Sequence, residues 1–139
     1  MGGHFTELLE LREAFDGHEL FYVLSRGLRT RSFPNAYLVR NIGKNPIKMV
    51  LCFLRILVIF HKERPQVIFS TGAEIAVPAF LLGKFLFRAR LIYVECSAQV
   101  VRPSLTGRCV YWMSDLFLVQ WPSLLPCYGK RARYCGGLI

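Results

Sequence analysis

The sequence predicts a doubly wound α/β domain on a parallel sheet, a Rossmann-like architecture, and three observations carry that expectation. Apolar runs of about four or five residues alternate with segments of roughly ten or more that carry helical spacing. The runs are apolar almost throughout, as strands covered on both faces are. The chain has 139 residues, 53% of them hydrophobic, enough for one substantial core, and no repeat, linker or low-complexity tract divides it. A single domain over 1–139 follows.

Taken in order, Leu8, Leu9, Leu11, Ala14 and Phe15 predict a helix over 6–15, with Glu7, Glu10 and Glu13 on another face and Asp16-Gly17 at its end. A strand at 20–24 leads into a loop carrying Arg26, Arg29, Arg31 and Pro34, and a weaker strand follows at 36–39. Pro46 suits the first turn of a long helix reaching about His61, with Pro65 beyond its end. Next come a strand at 67–69, the turn Ser70-Thr71-Gly72, a helix over 74–87 and a strand at 91–94 ending at Glu95. A helix over 105–113, a strand at 116–119, a short helix after Gln120-Trp121-Pro122 and a last strand at 133–139 complete the reading. Ligands of such folds bind at the carboxyl ends of the strands.

Eighteen Lys and Arg against nine Asp and Glu give a net charge of +9. That excess favours anionic partners such as phosphates or anionic lipid. Nucleic acid is excluded as the expected partner: there is no helix-turn-helix, RNA-binding sheet motif or zinc finger, and the aromatics lie in apolar runs rather than among the basic residues. The five cysteines are odd in number and form no C-x-x-C pair, which points away from a structural zinc, a disulfide framework or any metal, and fits a reducing cytosol. No cofactor is expected. The first ten residues lack the basic start and apolar stretch of a signal peptide. The longest apolar run, 49–60, is broken by Arg55 and falls short of the roughly 20 residues of a spanning helix, so membrane contact is expected to be peripheral.

Five constellations carry chemistry, each with a plainer reading beside it. Gly2-Gly3-His4 at a helix start offers free amides and a dipole end to an anion, with His4 a candidate base, or is simply a frayed end. Thr71, Gly72 and Glu74, in the turn after a strand, offer hydroxyl, amide and carboxylate to a polar ligand, or serve only to cap a helix. Glu95, ending a strand, faces a ligand crevice or pairs with Arg102. Arg26, Arg29 and Arg31 suit a phosphate or form a solvated basic loop, the commoner case. Lys48, Arg55 and Lys62 make one basic stripe beside a wide apolar arc: a helix lying on an anionic membrane, or a core helix with snorkelling cations.

In order, Gly-Gly-His-Phe-Thr-Glu-Leu-Leu (2–9), Ser-Thr-Gly-Ala-Glu-Ile-Ala-Val-Pro (70–78), Tyr-Val-Glu-Cys (93–96), Ser-Leu-Thr-Gly-Arg (104–108) and Val-Gln-Trp-Pro (119–122) resemble the PssD family of bacterial exopolysaccharide and capsule synthesis. That family is similar to the membrane subunit of the eukaryotic dolichol-linked N-acetylglucosaminyltransferase. The resemblance implies the N-terminal, acceptor-binding half of a GT-B glycosyltransferase, active only with a partner chain that binds the nucleotide sugar. It implies a polyprenyl-pyrophosphate-linked sugar acceptor, catalytic roles for His4 and Glu95, and acceptor or pyrophosphate contacts from Gly2, Gly3, Thr71, Gly72, Glu74 and Arg102. It further implies membrane contact through Lys48, Arg55 and Lys62 at the cytoplasmic face of the plasma membrane. The Ser-Thr-Gly-Ala-Glu turn favours the bacterial branch. A strand before Gly2, in the middle of the sheet, is also implied; Met1 stands where it should end, so that strand is expected to be missing and the sheet poorly folded or closed by a rearranged pairing. The alternative function is a non-catalytic membrane scaffold that recruits a partner enzyme.

Overall fold

The computed structural model describes residues 3–26 and 33–138. The chain runs α1 (Gly3–Glu10), a 3-10 turn (Arg12–Phe15), β1 (Tyr22–Ser25), β2 (Ala36–Val39), α2 (Pro46–Glu63), β3 (Val67–Ser70) and α3 (Ala76–Phe85). It continues through β4 (Arg90–Val94), α4 (Leu105–Val110), β5 (Leu116–Val119), a 3-10 turn (Pro122–Leu124), α5 (Leu125–Tyr128) and β6 (Ala132–Tyr134). Every ladder between these strands is parallel, as the buried apolar runs predict.

Among the described residues the strands form two sheets, β1-β2 and β3-β4-β5-β6, and no ladder joins β1 to β3. A cleft lined by Phe21, Val23, Val67, Phe69 and Ile75 lies between them. The core is shared across it: Val39 from β2, Ile56 and Phe60 from α2, Phe80 from α3, Leu91 and Tyr93 from β4 and Phe117 from β5 belong to one buried cluster. Tyr93 stacks on Phe117 with ring centres 5.0 Å apart, fastening β4 to β5.

Several elements depart from expectation at their ends: β1 lies at Tyr22–Ser25 rather than 20–24, α3 is shorter by two residues at each end, and α4 stops at Val110 rather than 113. The first helix starts three residues early and stops at Glu10, and the predicted remainder is the 3-10 turn. The last strand is short, Ala132–Tyr134, and its expected final residue, Ile139, lies outside the described residues. The cysteines are all free, but Cys109, Cys127 and Cys135 are exposed rather than buried within apolar runs.

α2 shows how local sequence sets an element. The Asn45 side chain caps it by accepting from the Ile47 and Lys48 amides, Pro46 opens it, and Arg64 closes it in a left-handed conformation. Cys52, Ile56, Ile59 and Phe60 face the core at helical spacing. The opposite face is apolar too, with Ile47 70% and Val58 69% exposed and Val50, Leu51 and Leu54 also open to solvent. No helix among the described residues is long and apolar enough to cross a membrane.

Candidate functional site

The carboxyl ends of β3 and β4 and the start of α1 meet at one place, and His4 is the side chain they hold. Its Nδ1 lies 2.9 Å from the Thr71 carbonyl oxygen, and the Thr71 hydroxyl donates back to the His4 carbonyl at 2.8 Å. A carbonyl oxygen can only accept, so Nδ1 is the donor in this contact and Nε2 is the ring nitrogen it leaves uncommitted. The ring lies directly over Gly72: a Cβ there would meet the ring carbon Cε1 at 2.6 Å, and the backbone φ of +122° is itself one that glycine favours. The Ser70 hydroxyl, 3.0 Å from the Gly72 carbonyl and 3.1 Å from its amide, holds the turn in shape. Thr71 and Gly72 thus meet His4 at this site, with both residues buried and His4 half-buried.

One turn further along α1, Glu7 is fully buried. The sequence reading set Glu7 with Glu10 and Glu13 on a face apart from the apolar residues, and the structure separates them: Glu10 and Glu13 are exposed. Two long-range donors draw Glu7 inward. Its Oε1 accepts from the Ser97 amide at 2.7 Å and from Gln120 Nε2 at 3.2 Å. Its Oε2 has no hydrogen-bond partner among the described residues. A buried carboxylate oxygen left so costs about 1–3 kcal/mol, a cost that marks groups with a task. Gln120 is itself used in full: its amide nitrogen also donates to the Glu95 carbonyl at 3.0 Å, and its oxygen accepts from the Leu138 amide at 2.9 Å. Neither Glu7 nor Gln120 was singled out as a site residue from sequence; the spacing of three between His4 and Glu7, which stacks them on one helix face, was the available signal.

A ring nitrogen of His4, a carboxylate oxygen of Glu7 and the Cys96 sulfur lie within 4.8 Å of one another. The donor set is one a soft divalent cation accepts. Burial is the main cause that pushes the Cys96 thiol up, so it stays protonated and neutral here.

Glu95 corrects the sequence reading. The expectation puts it at the crevice; the structure buries it completely. Its Oε1 accepts from the Cys96 amide at 3.0 Å, and its Oε2 from the Ser104 amide at 3.2 Å, the Ser104 hydroxyl at 3.0 Å and the Tyr128 hydroxyl. The Tyr93 hydroxyl stands 3.5 Å from Oε1. Ser104 in turn caps α4 by accepting from the Gly107 amide at 2.8 Å. Gly107 is needed because a Cβ would sit 2.3 Å from Glu95 Oε2. Burial, followed by the nearby Glu95 carboxylate, pushes both Tyr93 and Tyr128 well above the usual tyrosine range. Exposed Arg102 is not among the partners of Glu95, so the expected alternative, an ion pair, is not formed either.

The remaining candidates lie apart from His4 in their contacts. Glu74 is exposed and accepts from the Gly43 amide at 3.0 Å, tying the segment before α2 to the turn after β3. Gly3 opens α1, whereas Gly2, Arg29 and Arg31 lie outside the described residues; Arg26 is exposed. Lys48, Arg55 and Lys62 are all exposed on α2. Seven-residue steps shift direction by only about 20° each, so they line one edge of the open apolar face. Lys62 also donates to the Tyr37 hydroxyl at 3.1 Å, the first cause that raises its pKa and keeps it charged. A second open apolar group, Val100, Val101, Leu105 and Trp121, belongs to the segments that follow β4 and β5. The Trp121 indole donates to the Ser97 carbonyl at 2.7 Å, so these two segments are joined.

The fold is that of the N-terminal domain of a GT-B glycosyltransferase. It matches the crystal structure of MurG from Acinetobacter baumannii with a TM-score of 0.80 at 15% identity, over 99% of this chain and 43% of that one. Within that fold the chain belongs to the Alg14-like family: the model for "Oligosaccharide biosynthesis protein Alg14 like" matches residues 24–138. The UDP-N-acetylglucosamine transferase subunit ALG14 of Yarrowia lipolytica is 36% identical over 121 residues, 81% of this chain and 56% of the relative. The human subunit of the same name is 31% identical over 86 residues, 58% of this chain and 38% of the relative. The chain therefore spans between about two fifths and just over half of these two curated relatives.

Proposed function

We propose that this protein is the acceptor-binding, membrane-associating subunit of a two-component glycosyltransferase whose partner chain binds a UDP-sugar. The acceptor is a polyprenyl-pyrophosphate-linked sugar. His4 carries the reading: its Nδ1–H is committed to the Thr71 carbonyl, which leaves Nε2 as a fixed base for the attacking acceptor hydroxyl. The reaction is an inverting displacement. The acceptor oxygen attacks the anomeric carbon, its proton passes to His4 Nε2, and UDP leaves with the electron pair of the broken bond. The Gly3 amide at the start of α1, with Gly2, Arg26, Arg29 and Arg31 as the sequence arrays them, receives the pyrophosphate. Thr71 and Gly72 orient His4. Glu95, saturated by its own donors, acts at one remove by holding the β4–α4 loop. Arg102 and Glu74 border the acceptor.

The names of the relatives favour N-acetylglucosamine as the sugar transferred. The finer assignment, a PssD-type subunit of exopolysaccharide or capsule synthesis at the cytoplasmic face of the plasma membrane, rests on the form of the turn at 70–74. Val100, Val101, Leu105 and Trp121 form the face that the partner chain covers, since an open apolar group of this size beside a ligand crevice favours association. The open face of α2, edged by Lys48, Arg55 and Lys62, rests on anionic lipid.

His4→Ala in a complex that still assembles and still binds vesicles tests the central claim. Loss of turnover by about 100-fold or more is expected for a general base; unchanged turnover leaves only the scaffold role. Replacing Lys48, Arg55 and Lys62 together with Glu should release the protein from phosphatidylserine vesicles, each cation near such a surface being worth about 1 kcal/mol. Unchanged flotation would remove α2 as the contact.

A further inference from the structure

We propose that Glu7 is the anionic partner of His4, a positioning residue whose free oxygen holds the charge that the imidazole acquires during transfer. This rests on the reading of His4 as the base. Three observations point to it. Glu7 is fully buried, yet only Oε1 is engaged, by the Ser97 amide and Gln120. Among the described residues Oε2 has no hydrogen-bond partner within the usual distance, and the neighbouring Cys96 thiol, whose pKa is raised by burial and then by the Glu7 carboxylate, is the group beside that carboxylate. That carboxylate shares with a His4 ring nitrogen and the Cys96 sulfur a cluster no more than 4.8 Å across.

The chemistry follows from the tautomer. His4 begins neutral, with its proton on Nδ1 and directed at the Thr71 carbonyl. When the acceptor O–H bond breaks, a new N–H bond forms at Nε2 and the ring becomes a cation. The Thr71 carbonyl is a dipole and cannot neutralise that charge. Cys96, the other group in the cluster, is a neutral thiol. Glu7 is the carboxylate that shares the cluster with the ring among the described residues, and the low-dielectric surroundings strengthen any charge it carries. Its two accepted bonds fix it in place, so it need not reorganise as the charge develops.

The test is a double-mutant cycle on the intact chain co-expressed with its partner chain, with UDP-N-acetylglucosamine as donor and a synthetic polyprenyl-pyrophosphate N-acetylglucosamine as acceptor. Glu7→Gln keeps the volume and an oxygen for Ser97 and Gln120, and alters only the free position. It should lower kcat by about tenfold or more while the KM of each substrate stays within about twofold. In the His4→Ala background it should lower kcat no further, because a group acting through His4 has nothing left to act on. Full additivity with His4→Ala, or unchanged kcat in a complex that His4→Ala inactivates, overturns the proposal and leaves the base reading intact. Turnover that survives His4→Ala removes both. Should Glu7→Gln fail to assemble, Glu7→Asp runs the same cycle per assembled complex. Activity lost to a chelator and restored by zinc would also overturn the proposal, since the cluster would then be a metal site.

Discussion

Two buried carboxylates, separated in sequence by four strands yet both near the end of β4, are built to opposite purposes. Glu95 and Glu7 are each fully buried. Both oxygens of Glu95 are engaged, by backbone amides and by the Ser104 and Tyr128 hydroxyls, all from the strand end, α4 and α5. Only one oxygen of Glu7 is engaged, and its carboxylate lies with the His4 ring and Cys96. A carboxylate with every oxygen occupied behaves as a structural joint. One with a vacant oxygen beside a base retains an interaction to make when charge appears. Burial alone therefore does not separate architecture from chemistry at this site; the hydrogen-bond count of each oxygen does.

The largest expected effect breaks the joint. Glu95→Ala strands the half-buried Ser104 and Tyr128 donors, each worth about 1–3 kcal/mol, for a total loss of about 2–6 kcal/mol in chemical denaturation. Stability near that of the unaltered protein would mean that Glu95 is not the joint described. The second effect probes the same joint by pH. Tyr93 and Tyr128 have folded-state pKa values raised by burial and by Glu95. A raised pKa means the folded state holds its proton more tightly, so this stability is complete below the ordinary tyrosine value of about 10 and declines as pH rises past it. For Tyr93 the decline is about 1.4 kcal/mol per pH unit, so melting temperatures measured from pH 8 to 11, which the buried Cys52 and Cys96 thiols begin to lower from about pH 9, should fall more steeply above about pH 10. A flat profile would show that these hydroxyls are open to solvent. The smallest effect is on the other carboxylate: Glu7→Gln should change stability by no more than about 1 kcal/mol, because it keeps an acceptor for Ser97 and Gln120. A loss as large as that of Glu95→Ala would erase the contrast between the two residues.

Much of the fold was legible because it is written in short-range pattern. β2 and β5 begin and end where their apolar runs do, and α2 starts at its proline, since cap chemistry and periodicity act within a few residues. The first helix was placed late. Its leading Gly-Gly-His has no apolar periodicity to announce it, and the helix there depends on His4 meeting Thr71, 67 residues away. The candidate site was legible in part: His4, Thr71 and Gly72 were named from their types and settings, and the structure brings them into contact.

What the sequence determined by itself was the alternation of strand and helix, the basic and apolar balance and a motif order similar to that of the Alg14-like membrane subunit. What only the tertiary structure decided was which way the acidic side chains turn. Glu7 reads as a residue of the face apart from the apolar ones until Ser97 and Gln120, 90 and 113 residues further on, supply donors inside. Glu95 reads as a crevice residue until Ser104 and Tyr128 close on it. Periodicity reports which face of an element is apolar. It is silent on a polar side chain whose burial is stabilised by hydrogen bonds from distant segments, because those donors reach it only when the chain has folded.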